Sequence, residues 1–225
     1  MGSVLNLDAL RNSQVKNDPF PYFTLDHAIK EQDVLEIIRD FPKITDGGSF
    51  NLADVNIRPN FDRLLKSVDT PEFRRILTDK FGVNVMHLPM MITLRGYSRQ
   101  KDGKIHTDSK TKVLTILIYM NESWEHATGR LRVLRDGKDI HNYAEEISAG
   151  PGQLIAFKVT DNGWHGYIPY EGQRQSIQIN FLTGEGASSK HKFFHGLSAK
   201  LKALRRGRQK SNPPASRDTA PHDTM

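Results

Sequence analysis

The 225-residue chain contains no cysteine. Disulfides, thiolate metal sites and cysteine nucleophiles are therefore excluded together, and the absence fits a cytoplasmic protein. Long apolar runs are missing too: none approaches the roughly 18 residues that a membrane span needs. The opening MGSVLNLDALRNSQ has no basic leader followed by an apolar block, so no secretory signal is expected. Asn6 stands where a myristoylation signal would need Ser or Thr. No internal repeat is visible. Acidic residues are scarce only at one end. Nine of the 32 Lys and Arg, but two of the 26 Asp and Glu, lie beyond Ser189, leaving 23 bases and 24 acids before it. The body is close to neutral and the net +6 belongs to the tail, which argues against a nucleic-acid-binding surface spread over the fold.

What is present reads as one globular domain with appendages, long enough to bury a core. Residues 1–82 are expected to be a helical support region. Weak helical character over residues 1–20 ends at Pro19, and Phe20-Pro21-Tyr22-Phe23 is an extended lead-in. Asp26 to Asp40 is amphipathic, with Ala28, Val34, Leu35 and Ile38 on the apolar side. Phe61 to Val68 and Pro71 to Lys80 are two more predicted helices, the second capped by Thr70 and stopped by Gly82. Residues 83–189 turn to β-texture. Val85 to Leu94, Val113 to Met120, Leu131 to Leu134, Leu154 to Val159 and Gln175 to Leu182 are short β-prone runs separated by Gly-, Asn- and Asp-rich turns. The expectation is a mainly β fold with flanking helices: a double-stranded β-helix (jelly roll, cupin-like) on N-terminal helical support. Residues 190–210 spell a basic amphipathic helix, most simply a solvated face, with contact to an anionic membrane surface as a minor alternative. Residues 211–225 are polar and Pro-rich, expected to be disordered.

Chemistry concentrates between Lys104 and Asn180. Strand alternation would put His106 and Asp108 on one face, converging on one ion. His165, from a distant strand, completes two imidazoles and one carboxylate, the set expected of a non-haem Fe(II) site with open positions. Zinc hydrolases can use similar ligands. Arg174 tips the balance toward iron. On the run Arg174 to Phe181, alternation sets Arg174, Ser176, Gln178 and Asn180 on one face and Ile177, Ile179 and Phe181 on the other. An inward guanidinium needs an anionic partner, and its fork suits a carboxylate. Tyr119 could offer its hydroxyl to the same carboxylate.

His106-Thr107-Asp108, then Thr115 to Asn121, then Trp164 to Asn180 resemble the Fe(II)/2-oxoglutarate-dependent dioxygenase superfamily, specifically its prolyl-hydroxylase-like branch. The resemblance spans roughly Val85 to Leu182. It implies His106, Asp108 and His165 as iron ligands, Arg174 as the anchor of the 2-oxoglutarate C5 carboxylate, and Tyr119 as its hydrogen-bonding partner. Cofactors would be Fe(II), 2-oxoglutarate and O2, with ascorbate as an optional reductant. The implied reaction converts 2-oxoglutarate to succinate and CO2 and hydroxylates a C–H bond. Two departures stand out: Thr128-Gly129-Arg130 replaces a frequent Gly-Gly turn, and Tyr97 has no assigned register against the cosubstrate. Asp108 argues against the related halogenases. Asn180, six residues past Arg174, argues against nucleic-acid demethylation, so no nucleic-acid partner is expected.

Nothing in residues 5–82 matches a named substrate module, so the substrate is open between a protein side chain such as proline and a small metabolite or sugar, as is the oligomeric state. Residues 46–60 and 97–104 are the candidate lid. The competing functions are a non-enzymatic cupin-like metal- or ligand-binding module and a cupin-type isomerase or hydrolase. His191 and His195 could pair on a helix, but Lys190 and Lys192 would repel a cation.

Overall fold

A computed structural model describes residues 2–184. The basic helix and tail expected over 190–225, with His191 and His195, lie outside them. Helices come first: α1 (Leu7–Asn12), α2 (Glu31–Arg39), α3 (Pro59–Val68) and α4 (Pro71–Phe81). The Thr70 side chain accepts from Phe73 N, Pro71 occupies N1, and Gly82 stops α4 with φ 63°, where only glycine enters without penalty. The α2 helix starts five residues later than the periodicity predicts. Residues before it serve a β-type connection, in which Leu5 bridges Ile29 and Ala28 N donates to the Gly152 carbonyl. Leu35, assigned above to the apolar side, is 52% exposed; Ile37 and Ile38 make the buried contact.

The strands are β1 (Tyr22–Leu25), β2 (Phe50–Asn51), β3 (Met90–Ser98), β4 (Lys112–Tyr119), β5 (Leu131–Leu134), β6 (Tyr143–Ile147), β7 (Leu154–Lys158), β8 (His165–Gly166) and β9 (Gly172–Leu182). They form a six-stranded sheet in the order β1-β7-β4-β9-β3-β2 and a three-stranded sheet in the order β6-β5-β8. All named-strand pairings are antiparallel. The fold is mainly β, a jelly roll with helical support, as the sequence implies.

Alternation sorts the large sheet into two faces. Leu114, Ile116 and Ile118 of β4, Leu154 and Ala156 of β7, and Ile177, Ile179 and Phe181 of β9 join Phe61, Leu64, Phe73 and Leu77 of the helices in one core. Tyr119, Ile155 and Phe157 join Leu131, Val133 and Ile147 of the small sheet in a second. Polar residues of β4 and β9 therefore point between the sheets, on the side away from the helices.

Residues 85–89, expected to be strand, are not. Arg74 Nη1 holds the carbonyls of Val85 (2.9 Å) and Leu88 (3.0 Å), and Pro89 has no N–H to offer a ladder. Pairing begins at Met90, opposite Phe181.

Candidate metal centre and cosubstrate cavity

His106 does not lie in a regular strand. It makes one antiparallel bridge to His165 of β8, with His106 N to His165 O and His165 N to His106 O both 3.0 Å. That reciprocal pair brings the two rings to a centroid separation of 4.3 Å. Asp108 follows two residues on, and donor atoms of His106, Asp108 and His165 all lie within 4.8 Å of one another.

Each ring is oriented from behind. His106 Nδ1 lies 2.8 Å from the Lys104 carbonyl, and His165 Nδ1 lies 2.9 Å from the Gly163 carbonyl. A carbonyl can only accept, so both Nδ1 atoms carry a proton, which leaves the Nε2 atoms as the positions from which the rings would bind a cation. Burial, helped by the neighbouring His106, pushes His165 down to about 4, so its ring is neutral near pH 7. Burial would raise the Asp108 carboxyl, but Lys112, His165 and the hydrogen bonds from Lys112 and Thr115 hold it below the ordinary range. Lys112 Nζ is 2.6 Å from Oδ1 and Thr115 Oγ1 is 2.5 Å from Oδ2. Thr115 Oγ1 also lies 3.1 Å from Asn180 Oδ1; its single proton goes to the nearer, charged oxygen. Asn180 Nδ2 is buried without a partner among the described residues. Two imidazoles and one ionised carboxylate form a donor set that fits a ferrous ion.

The cavity beside these residues measures about 250 Å³. Arg174, Ser176 and Gln178 line it from β9, Thr115 and Leu117 from β4, confirming the alternation read from the sequence. Arg174 is 5% exposed. Its Nε donates to the Gly129 carbonyl at 2.7 Å and its Nη2 to the Tyr119 hydroxyl at 3.1 Å. The guanidinium also sits 4.1 Å from the centre of the Tyr167 ring. Tyr119 is fully buried, and burial raises its hydroxyl, with Arg174 pulling the other way. The phenol stays protonated, and because its oxygen accepts from Arg174 its own proton is left for an anion. Nη1 of Arg174 has no protein partner among the described residues. A carboxylate entering here would meet the guanidinium on the cavity wall, with Tyr119, which is not among the lining residues, behind it.

Sequence reasoning missed Gly129, Tyr167, Arg95, Lys112 and Thr115. A sharper reading of the chain could have found Lys112 from its i,i+4 offset to Asp108; nothing local flags Gly129 as the acceptor for Arg174. Tyr97 pairs with Gln173 and bridges Gly47, and it is not among the residues lining the cavity. The proposed lid segments diverge: Lys101 to Lys104 border the cavity and residues 46–60 do not.

Residues 92–182 match the family model of the 2OG-Fe(II) oxygenase superfamily. By sequence, no curated protein matches. Among solved structures, the chain is similar to a prolyl hydroxylase from Trichoplax adhaerens in complex with a hypoxia inducible factor oxygen degradation domain peptide fragment. That match has a TM-score of 0.54 at 14% identity, covering 81% of this chain and 91% of that one. It is also similar to a prolyl-4-hydroxylase from Pseudomonas putida, with a TM-score of 0.49 at 18% identity, covering 78% and 91%. The resemblance to the Fe(II)/2-oxoglutarate-dependent dioxygenases therefore holds, and the matched family implies Fe(II), 2-oxoglutarate and O2 as cofactors. No described helix is long and apolar enough to cross a membrane.

Proposed function

We propose, from a chain whose residues 92–182 match the 2OG-Fe(II) oxygenase superfamily, that this protein is a 2-oxoglutarate-dependent Fe(II) dioxygenase that hydroxylates an organic substrate. One observation carries the reading: a two-His, one-carboxylate cluster and the guanidinium of the buried Arg174, backed by the Tyr119 hydroxyl, face the same cavity.

His106, Asp108 and His165 would hold the ferrous ion, and Arg174 with Tyr119 would receive the C5 carboxylate of 2-oxoglutarate. When bound, these groups supply the oxidation, consuming O2 and releasing succinate and CO2 as a C–H bond is hydroxylated. The chain's own work is positional. Lys104 and Gly163 carbonyls aim the imidazoles, and Lys112 and Thr115 hold the carboxylate ionised and in place. Tyr167 and the Gly129 carbonyl fix the guanidinium plane. Such preset orientation lowers the cost of assembling reactants.

For the substrate, a protein side chain such as proline and a small metabolite or sugar are the two classes. The peptide bound to the Trichoplax enzyme favours the first. Asn180, the polar residue six beyond Arg174, offers no second guanidinium for nucleic-acid repair. A cytoplasmic setting suits a chain free of cysteine, and ascorbate would be an optional reductant.

The test measures succinate from 2-oxoglutarate across peptides, amino acids and glycans, with mass detection of a product heavier by one oxygen. His106→Ala and Asp108→Ala should each abolish it; retained turnover in either overturns the assignment. Under anaerobic conditions Fe(II) plus 2-oxoglutarate should give a weak visible charge-transfer band. A folded protein without the band would instead be a cupin-like binding module.

A further inference from the structure

The cavity holds more positive charge than iron and 2-oxoglutarate can use. Its lining includes four cations, Arg95, Lys101, Lys104 and Arg174, and two acids, Asp102 and Asp108. Both acids are already engaged by cations outside that lining. Arg99 grips Asp102 through Nε (3.1 Å), Nη2 (3.0 Å) and its backbone N–H (2.9 Å), and Lys112 pairs with Asp108. In the proposed function, Arg174 is taken by the cosubstrate. Arg95, Lys101 and Lys104 remain, and none has a side-chain hydrogen bond or ion pair among the described residues.

Arg95 is not a stray surface residue. On β3 it stands directly opposite Ser176 of β9, and antiparallel partners project to the same face, so its side chain belongs to the interior that Arg174 and Ser176 share. Asp102 is close enough to feel the charge of Arg95, but its carboxylate is already held by Arg99, and a half-buried guanidinium without a hydrogen-bonded anion is unfavourable unless one arrives. Lys101 and Lys104 are exposed and border the cavity on the connection from β3 to His106. The space is about 250 Å³, below the roughly 300–1,000 Å³ of pockets that enclose a whole drug-sized ligand. Once the cosubstrate is in, the bulk of a substrate must rest at the rim, against these cations.

We propose that the substrate of this enzyme is anionic, presenting a carboxylate or phosphate group to Arg95, with Lys101 and Lys104 steering it to the mouth. The proposal rests on the dioxygenase reading above and names its substrate class. Charge focused at a cleft raises both encounter rate and selectivity.

Pyrophosphate is the probe for the oxyanion itself. Titrated into the full-length, metal-free protein, it should shift the backbone amide signals of residues 95–104 saturably. Local signals separate this site from the basic run beyond Ser189. Arg95→Gln should weaken that response at least tenfold, and the double variant Lys101→Gln/Lys104→Gln, both at exposed positions, should weaken it even if Arg95→Gln folds poorly. Unchanged titrations in the variants, or shifts confined to the tail, overturn the proposal. A second arm separates the two readings: anaerobic Fe(II) and 2-oxoglutarate should give the same charge-transfer band and cosubstrate affinity in Arg95→Gln as in the wild type. A band lost only in Arg95→Gln would make Arg95 a cosubstrate residue and overturn the anionic-substrate assignment; a band absent from the wild type would sink the dioxygenase reading instead. In the succinate screen, acidic peptides and small phosphorylated or carboxylated compounds should stimulate turnover where their neutral amides do not. Whichever acidic class responds identifies the source of the oxyanion, and stimulation by neutral compounds alone counts against it.

Discussion

Arg174 Nε donates to the backbone carbonyl of Gly129 at 2.7 Å, tying the candidate carboxylate anchor to the turn that precedes β5. Gly129 has φ +75°, and a Cβ there would lie 2.6 Å from the Trp124 ring and 3.0 Å from Tyr170 Cβ. The turn that orients the guanidinium is therefore open to glycine alone.

Gly129→Ala should injure both stability and cosubstrate binding. Left-handed backbone costs a non-glycine residue about 1–2 kcal/mol, and relieving the Trp124 contact would move the carbonyl that Arg174 uses. Unfolding should show that loss, and the 2-oxoglutarate concentration for half-maximal turnover should rise about tenfold, equivalent to roughly 1.4 kcal/mol. A normal 2-oxoglutarate response in a destabilised variant would show that the Gly129 carbonyl does not orient Arg174.

Arg74 should matter to the fold without touching the site. Its guanidinium joins Asp69 of the α3–α4 junction to the carbonyls of Val85 and Leu88, and lies 5.0 Å from the Phe181 ring centre. Arg74→Ala strands several carbonyls and should cost about 2–3 kcal/mol in urea unfolding. Arg74→Lys should recover little, because one ammonium cannot span the forked contacts. Full recovery by lysine would mean that charge alone suffices.

The same clamp explains one failure of sequence reading. Val85 has strand character, but its carbonyl is claimed by a helix residue eleven positions earlier, a tertiary contact no local pattern encodes. By contrast, β9 was legible residue by residue, because its alternation is continuous from Arg174 to Phe181 and its two faces meet different surroundings. Strand β6 stayed hidden: Glu145 and Glu146 break the apolar rhythm, and each is matched to a cation, Lys16 and Arg132. The two-residue β8 is too short for any period to register. The candidate cluster of His106, Asp108 and His165 was read from residue types and spacing, and the three donors do lie together, yet the backbone that joins them differs from expectation. A single reciprocal bridge between His106 and His165, rather than a strand carrying His106 and Asp108, draws it together.

Glu145 should make stability acid-sensitive. Burial would raise its carboxyl, but Lys16 (2.6 Å), Tyr22 and Thr24 (3.0 Å) together hold it below its ordinary value of 4.5. The unfolded chain therefore takes up this proton first as pH falls. The contribution is complete above about 4.5 and is lost as pH drops through the lower folded value. Urea unfolding between pH 6 and 3 should give a steeper decline for the wild type than for Glu145→Gln, the difference appearing only below about pH 5. Parallel curves would remove Glu145 from the account of acid stability.

Lys112 and Thr115 grip the same carboxylate but should act on metal binding with opposite sign. The Lys112 and Asp108 side chains are 9% and 7% exposed, so Lys112→Met leaves a buried carboxylate without its cation. Breaking such a pair costs about 3–5 kcal/mol, which should appear as a lower melting temperature in the metal-free protein. A divalent ion would then relieve an uncompensated charge, and it would no longer be repelled by an ammonium 2.6 Å from the same oxygen. The rise in melting temperature on adding Co(II) or Mn(II) should therefore be larger in Lys112→Met than in the wild type. Thr115→Val removes only the donor that orients Asp108, and loss of such an outer hydrogen bond weakens metal affinity by about 10–100-fold. Its metal-induced rise should shrink. If both variants respond alike, Lys112 does not compete with the metal for Asp108, and the ion pair serves stability alone.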